Sequence, residues 1–173
     1  MIASLIIATP LGAVLVRTED EQIFGLSWIA GRKRMHGSAM RANSPGLKAA
    51  QGWLDDYFAG TFRPVDFAVR AEGSDFQRRV WQAIAEIPRG QTATYGDIAR
   101  AIRSAPRAVG GACGANPIAV AVPCHRVLAA GGRIGGYSGG AGLDTKRALL
   151  GHEGITVSPR GGRAASSQEG SNP

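Results

Sequence analysis

An α+β fold is predicted, with a small sheet-and-helix unit leading and a mainly helical region following. Three observations predict it. Residues 2–29 carry three short apolar runs separated by turn residues, the pattern of half-buried strands. From residue 44 the apolar spacing turns helical, and the runs open at Ser44, Ser74 and Thr94, residues that cap helix starts. The positive charge is uneven. The chain holds 20 basic and 13 acidic residues, a formal +7. Residues 1–72 carry eight basic and seven acidic, whereas residues 73–153 carry ten basic and five acidic. Nine of those ten are Arg, the better donor to phosphate and base edges.

In order, Leu5–Ala8 and Ala13–Val16 flank Thr9-Pro-Leu-Gly12 as a hairpin, and Ile23–Ile29 makes a third strand. Gly31–Gly37 is a basic, solvated loop. Ser44 caps a helix with Pro45 at its first position, and Gly60 ends it. Leu47, Trp53, Leu54, Tyr57 and Phe58 form its apolar face. Val65–Val69 reads as a short strand. Nothing in this first part carries chemistry: Asp55 and Asp56 are adjacent and point to different sides of the helix.

A boundary falls at Arg70–Gly73. Ser74-Asp-Phe-Gln77 is a capping box. Phe76, Val80, Trp81, Ile84 and Ile87 recur at helical spacing until Pro88–Gly90. Thr94-Tyr-Gly-Asp97 starts a second helix, and Arg103–Pro106 turns tightly into a third, Arg107–Asn116, made of small residues. Its three glycines weaken it by roughly 1 kcal/mol each but let its backbone come close to another surface. Two short helices around a tight turn in a basic region read as a helix-turn-helix. Leu143–Glu153 is a final helix. The division expected is 1–72, 73–158 and a disordered Gly/Ser/Ala-rich tail at 159–173.

The 173 residues, 44% hydrophobic and 19% charged, suit a globular chain of one domain or two small ones. The two cysteines, Cys113 and Cys124, are too few for a disulfide framework and suit a reducing cytoplasm. With His36, His125 and His152 they show no CxxC or HxxxH spacing, so neither a metal nor another cofactor is expected. The apolar N-terminus is short, lacks a basic leader and reads as a strand. No run approaches a membrane span.

Ile118-Ala-Val-Ala-Val-Pro-Cys-His-Arg-Val127 is the stretch with chemistry in it. An apolar strand is expected to end at Pro123, which cannot donate to a ladder. Cys124 follows, then His125 and Arg126. An ordinary thiol near ~8.5 is only about 3% thiolate at pH 7. A Cys-His-Arg run supplies surroundings expected to lower that value. A lone cysteine after an apolar run is most often a small core residue, so the neighbouring motifs decide.

Pro123-Cys-His-Arg-Val127, preceded by Arg107-Ala-Val-Gly and Asn116-Pro117 and followed by Gly136-Tyr-Ser-Gly139, resembles the O6-alkylguanine-DNA alkyltransferases, the methylated-DNA–protein-cysteine methyltransferases. The specific part covers about residues 74–153. The resemblance implies a ribonuclease-H-like N-terminal unit and a DNA-binding helix-turn-helix. It implies that Cys124 accepts the alkyl group in a single turnover, that His125 acts through a water as its base, and that Glu153 orients His125. Asn116 would be the hinge between recognition helix and acceptor segment. Tyr95 would press on the phosphate beside the target base and bond a guanine ring nitrogen. Tyr137 and Ser138 would line the pocket near O6. The carbonyls of Cys124 and Val127 would accept from the exocyclic amine. Arg107 would fill the gap left in the duplex, with Ala108 and Gly114 on the groove-facing helix. The implied partner is double-stranded DNA carrying O6-alkylguanine, with O4-alkylthymine a further substrate. The protein would act as a monomer, with neighbours able to bind DNA cooperatively. No zinc-binding cysteine cluster is present, so phosphotriester repair is not expected. Cys113 reads as a packing residue. The competing readings are a DNA-binding lesion sensor without chemistry and a Cys-His hydrolase, which would need an oxyanion hole that no motif here announces.

Overall fold

The structure is a computed structural model and describes residues 1–29, 44–157 and 165–166. The basic loop at 31–37 lies outside the described residues, as does the tail apart from Ala165–Ser166. Strands β1 (Ile2–Thr9), β2 (Gly12–Glu19) and β3 (Gln22–Trp28) form an antiparallel meander in that order. The first turn is held by the Thr9 hydroxyl, which donates to the Gly12 carbonyl at 2.7 Å. The second is built on Asp20 and Glu21, both at positive φ, as the twist of a two-residue hairpin requires.

Helix α1 (Pro45–Phe58) lies across all three strands. Its start carries two devices. Ser44 accepts from the Leu47 N–H at 3.3 Å, and the Glu21 carboxylate accepts from the Gly46 N–H at 2.7 Å. A hairpin turn thereby places negative charge on the free donors of a helix. Leu47, Ala50, Trp53, Leu54 and Tyr57 are buried against the sheet.

Helix α2 (Asp75–Ala85) opens on the expected capping box. After the two-residue strand β4 (Ala93–Thr94) come α3 (Tyr95–Ile102) and α4 (Pro106–Gly114), and the three helices pack together. Trp81 donates its indole N–H to the Ala112 carbonyl at 2.8 Å, which ties α2 to α4 inside the core. Strand β5 (Val127–Leu128) runs parallel to β4. Helix α5 (Leu143–His152) follows, and β6 (Ile155–Thr156) pairs with β7 (Ala165–Ser166). One apolar cluster runs from Ala3 in β1 to Leu149 in α5, so sheet and helices share a core. Among the described residues no helix is long and apolar enough to cross a membrane.

Three expectations are corrected. Val65–Val69 forms no strand: Phe67 turns edge-on to Trp53 at 5.9 Å, and only Ala68 and Arg70 reach the edge of β3. The apolar run before Pro123 is not a strand either. Ile118 makes a single bridge to Leu26, and Val120 then takes φ +67° and turns the chain back, so that the Val122 N–H donates to the Ile118 carbonyl at 2.9 Å. A β-branched residue in that region is strained by about 1–3 kcal/mol, and such residues cluster at functional sites. The third helix stops at Gly114 and the last at His152, which leaves Asn116 and Glu153 just past helix ends.

Thr94 caps α3 and so fixes where Tyr95 begins. Its hydroxyl accepts from the Asp97 N–H at 3.1 Å, and the Asp97 carboxylate accepts from the Thr94 N–H at 2.8 Å. Thr94→Ala is expected to lower unfolding free energy by about 1 kcal/mol in urea titration. An unchanged midpoint would show that the cap holds nothing.

Candidate active site

Cys124 opens a single 3₁₀ turn, Cys124–Arg126, directly after the reversal at Val120. Asn116 organises that reversal. Its carbonyl oxygen accepts from the Ile118 N–H at 2.9 Å; its amide donates to the Val122 carbonyl at 2.9 Å and reaches the Cys124 sulfur at 3.2 Å. One side chain just past the end of α4 therefore joins that helix to the segment that carries Cys124.

The sulfur faces a cleft of about 480 Å³. One wall is the helix pair: Tyr95 from the start of α3, with Gly110, Cys113 and Gly114 from α4. The other is the loop Gly136–Gly139 with Trp28 from the end of β3. The glycine-rich loop is shaped by close approach. Gly135 sits at φ +65°, where an added Cβ would lie 3.3 Å from both Tyr95 and the Ala129 nitrogen. At Gly139 a Cβ would fall 2.6 Å from the Trp28 ring. The Trp28 indole N–H points to the Tyr137 hydroxyl at 3.4 Å.

The two residues after Cys124 belong to a buried polar chain. The His125 Nε2 is 2.8 Å from Glu153 Oε1. A carboxylate can only accept, so Nε2 carries the proton and Nδ1 keeps its lone pair. Nδ1 is buried and has no protein partner among the described residues. Glu153 also accepts from the Tyr57 hydroxyl at 2.7 Å and from Arg126 Nε and Nη2 at 2.7 and 2.9 Å. Arg126 gives its remaining arm to the Ile87 carbonyl at 2.6 Å. Burial alone would raise the Glu153 carboxyl, but these bonds and the Arg126 charge outweigh it and hold the group at about 2. Burial pushes His125 down despite Glu153, which keeps the imidazole neutral.

The thiol departs from expectation. Its neighbour Cys113 and burial raise the Cys124 thiol, against the Asn116 amide and the Lys146 charge. The hydrogen bond with Cys124 draws the Cys113 thiol down. The pairing thus favours the proton on Cys124 over the one on Cys113, and a second negative charge is resisted. Arg126, expected to lower the Cys124 value, is instead consumed by Glu153, and His125 is neutral. Ionisation of Cys124 therefore calls for a base.

Of the residues singled out in the sequence, Cys124, Asn116, Tyr95, Tyr137, Ser138 and Gly114 line the cleft, while His125 and Glu153 are buried outside its lining and bonded to each other. Burial raises Tyr95 and Tyr137 to about 12, which keeps both hydroxyls protonated donors. Arg107 and Ala108 are exposed on the first turn of α4. Val127 is fully buried and outside the cleft wall, and its carbonyl accepts from Lys146 Nζ at 2.6 Å. Three residues were missed. Lys146 is fully buried, also donates to the Gly136 carbonyl at 3.0 Å, and is pushed down to about 8 by burial. Its place on the same helical face as Leu149 and Leu150 is a signal that it turns inward. Tyr57 and Trp28 come from the unit that looked empty of chemistry, and neither carries a sequence signal of its role.

Known proteins are similar to this chain in sequence and fold. The family described as 6-O-methylguanine DNA methyltransferase, DNA binding domain, matches residues 75–155. The methylated-DNA–protein-cysteine methyltransferase of Methanosarcina acetivorans is 40% identical over 86% of this chain and 96% of its own. The crystal structure of the Mycobacterium tuberculosis O6-methylguanine methyltransferase superposes with a TM-score of 0.75 at 37% identity, over 88% of this chain and 93% of that one. A structure of Mycobacterium tuberculosis OGT in complex with DNA gives 0.75 at 41% identity, over 86% and 90%. The class is that of proteins with a cysteine that takes an alkyl group from DNA. This chain belongs to the methylated-DNA–protein-cysteine methyltransferase family.

The buried carboxylate sets an acid limit on stability. Its folded value of about 2 lies below the ordinary 4.5. The resulting stabilisation, on the order of 3 kcal/mol, is complete above the ordinary value and is lost as pH falls toward the folded one. Glu153→Gln is expected to cost about 3–5 kcal/mol at pH 7, because His125 and Arg126 lose a buried partner, and to flatten the acid limb in urea titrations taken against pH. An identical acid limb in the variant would remove Glu153 as its source.

Proposed function

We propose that this protein repairs alkylated DNA directly, by moving the alkyl group from O6 of guanine onto the Cys124 sulfur in one irreversible turnover. The observation that carries this reading is the His125 imidazole. Its Nε2–H is fixed on a buried carboxylate, and its Nδ1, on the residue next to Cys124 in the chain, is buried with no hydrogen-bond partner among the described residues.

The alkyl carbon of a stacked guanine is out of reach of a cleft, so the base must rotate out of the helix at a cost of a few kcal/mol. Arg107, exposed at the start of α4, stacks in the space left and offsets part of that. Tyr95 presses on the adjoining phosphate. The base enters between the α3–α4 wall and the Gly136–Gly139 loop, with Tyr137 and Ser138 near O6. A water passes the Cys124 proton to His125 Nδ1, and Glu153 stabilises the imidazolium that forms. The thiolate attacks the alkyl carbon as the bond to O6 breaks. The electrons pass into the guanine ring, whose nitrogen takes a proton from the Tyr95 hydroxyl. The product is a thioether, which nothing in the site reverses.

Helices α3 and α4 act as a helix-turn-helix, and the small residues Ala108 and Gly114 allow α4 to lie close to a groove. The N-terminal meander with α1 serves as the ribonuclease-H-like unit, and residues 73–158 form the DNA-binding and acceptor domain. The free thiols fit a reducing cytoplasm. The Arg excess of residues 73–153 suits a polyanion, so raising salt is expected to weaken binding linearly on a log–log scale.

Incubation with duplex carrying O6-methylguanine is expected to leave one methyl per chain, at Cys124, by peptide mass spectrometry. Cys124→Ala is expected to take none. More than one repaired base per chain, or transfer by the variant, would contradict the reading. Arg107→Ala is expected to slow base rotation, followed with a fluorescent base analogue, about tenfold more than it weakens duplex binding, in line with a stacking term of ~1–3 kcal/mol. Equal losses in both would assign Arg107 to phosphate contact alone.

A further inference from the structure

Cys113 takes no part in the alkyl transfer, yet it faces the same cleft as Cys124. Asn116 links the two positions: its backbone N–H donates to the Cys113 carbonyl at 3.2 Å, and its side-chain amide reaches the Cys124 sulfur at 3.2 Å. The chain has no other cysteine. Cys113 stands on the last turn of α4 among Gly110, Gly111 and Gly114, where even an added Cβ would meet nothing within 4 Å. The glycine side of that turn is open, which leaves room for the small shift a disulfide's geometry demands. Cys124 is only 8% exposed, so the cleft favours small oxidants over bulky ones.

From these placements we propose that Cys113 is a resolving thiol, which closes an internal disulfide onto Cys124 when a hydroperoxide oxidises the acceptor. The proposal rests on the reading of Cys124 as the site's nucleophile. Cys124 first passes its proton to His125, as in the alkyl transfer; the thiolate attacks one oxygen of hydrogen peroxide, the O–O bond breaks, and the other oxygen leaves as water with that proton. Cys124 is left as a sulfenic acid. The Cys113 sulfur then attacks that sulfur, the S–O bond breaks, and hydroxide leaves with the Cys113 proton as a second water. Two thiols and one peroxide give one disulfide and two waters. Without a second sulfur at hand, a sulfenic acid goes on to sulfinic and sulfonic acids that ordinary thiols cannot reduce. For an acceptor that works once, that loss is final, whereas the disulfide returns to two thiols by exchange.

The test is peroxide treatment of the full chain, trapping of free thiols under denaturing conditions, and mass spectrometry without reductant. The wild type is expected to lose two hydrogens, to take up no thiol trap, and to yield a peptide pair joining Cys113 to Cys124. Methyl acceptance is expected to vanish and to return with dithiothreitol. In Cys113→Ser, Cys124 is expected to gain two or three oxygens, and dithiothreitol to restore less than about a tenth of the acceptance. Cys113→Ala serves the same comparison if the serine variant is unstable. Oxygenated Cys124 in wild type and variants alike, or a disulfide between two chains, would overturn the proposal. If the reduced protein accepts no methyl yet forms the internal disulfide, the alkyl-transfer reading falls and this one stands.

Discussion

The Glu153 carboxylate is the interaction on which the rest of the molecule depends. A buried carboxylate costs several kcal/mol unless donors surround it. Here four bonds do so, and they come from distant parts of the chain. Tyr57 reaches in from α1, His125 and Arg126 from the acceptor segment, and α5 delivers the carboxylate itself. The same bonds that make the charge tolerable join the leading sheet-and-helix unit to the cysteine. They also choose the His125 tautomer. With Nε2–H committed to the carboxylate, the only remaining basic lone pair on that ring is Nδ1.

This arrangement divides labour among the cations near the cysteine. Arg126, next but one to Cys124 in sequence, does not act on the sulfur, because its guanidinium closes on Glu153 and the Ile87 carbonyl. Lys146 sits fully buried with two carbonyls, that of Val127 and that of Gly136 at the start of the cleft loop, and its charge is the one that draws the thiols down. A sulfur that is protonated at rest and ionised only through a base is less open to stray electrophiles than a standing thiolate. The cleft adds steric control, since Gly135 and Gly139 let the loop pack directly on Tyr95 and Trp28.

Much of this was legible in the sequence wherever a local rule governed the outcome. The capping signatures at Ser44, Ser74 and Thr94 placed three helix starts, because an N-cap bond is made within three residues. The first hairpin and the third strand followed from alternation and turn residues. The failures lie where distant parts of the chain decide. Apolar β-branched residues at 118–122 promised a strand, but β3 offers that segment one bridge, and Asn116 takes the Ile118 N–H and the Val122 carbonyl. Val120 then turns at a backbone conformation its side chain disfavours. The Cys-His-Arg run promised positive charge at the sulfur, but where a guanidinium points is settled by a carboxylate 27 residues away. The contribution of Tyr57 crosses 96 positions and carries no local pattern.

The central claim is that a buried carboxylate fixes His125 as a neutral imidazole protonated at Nε2, with Nδ1 free to take a proton from the cysteine. Nitrogen-15 NMR of the histidine ring in the reduced protein, recorded as pH is varied around neutrality, tests this most directly. The account predicts a protonated Nε2 and an unprotonated Nδ1 throughout. A proton on Nδ1, or an imidazolium at neutral pH, would contradict it.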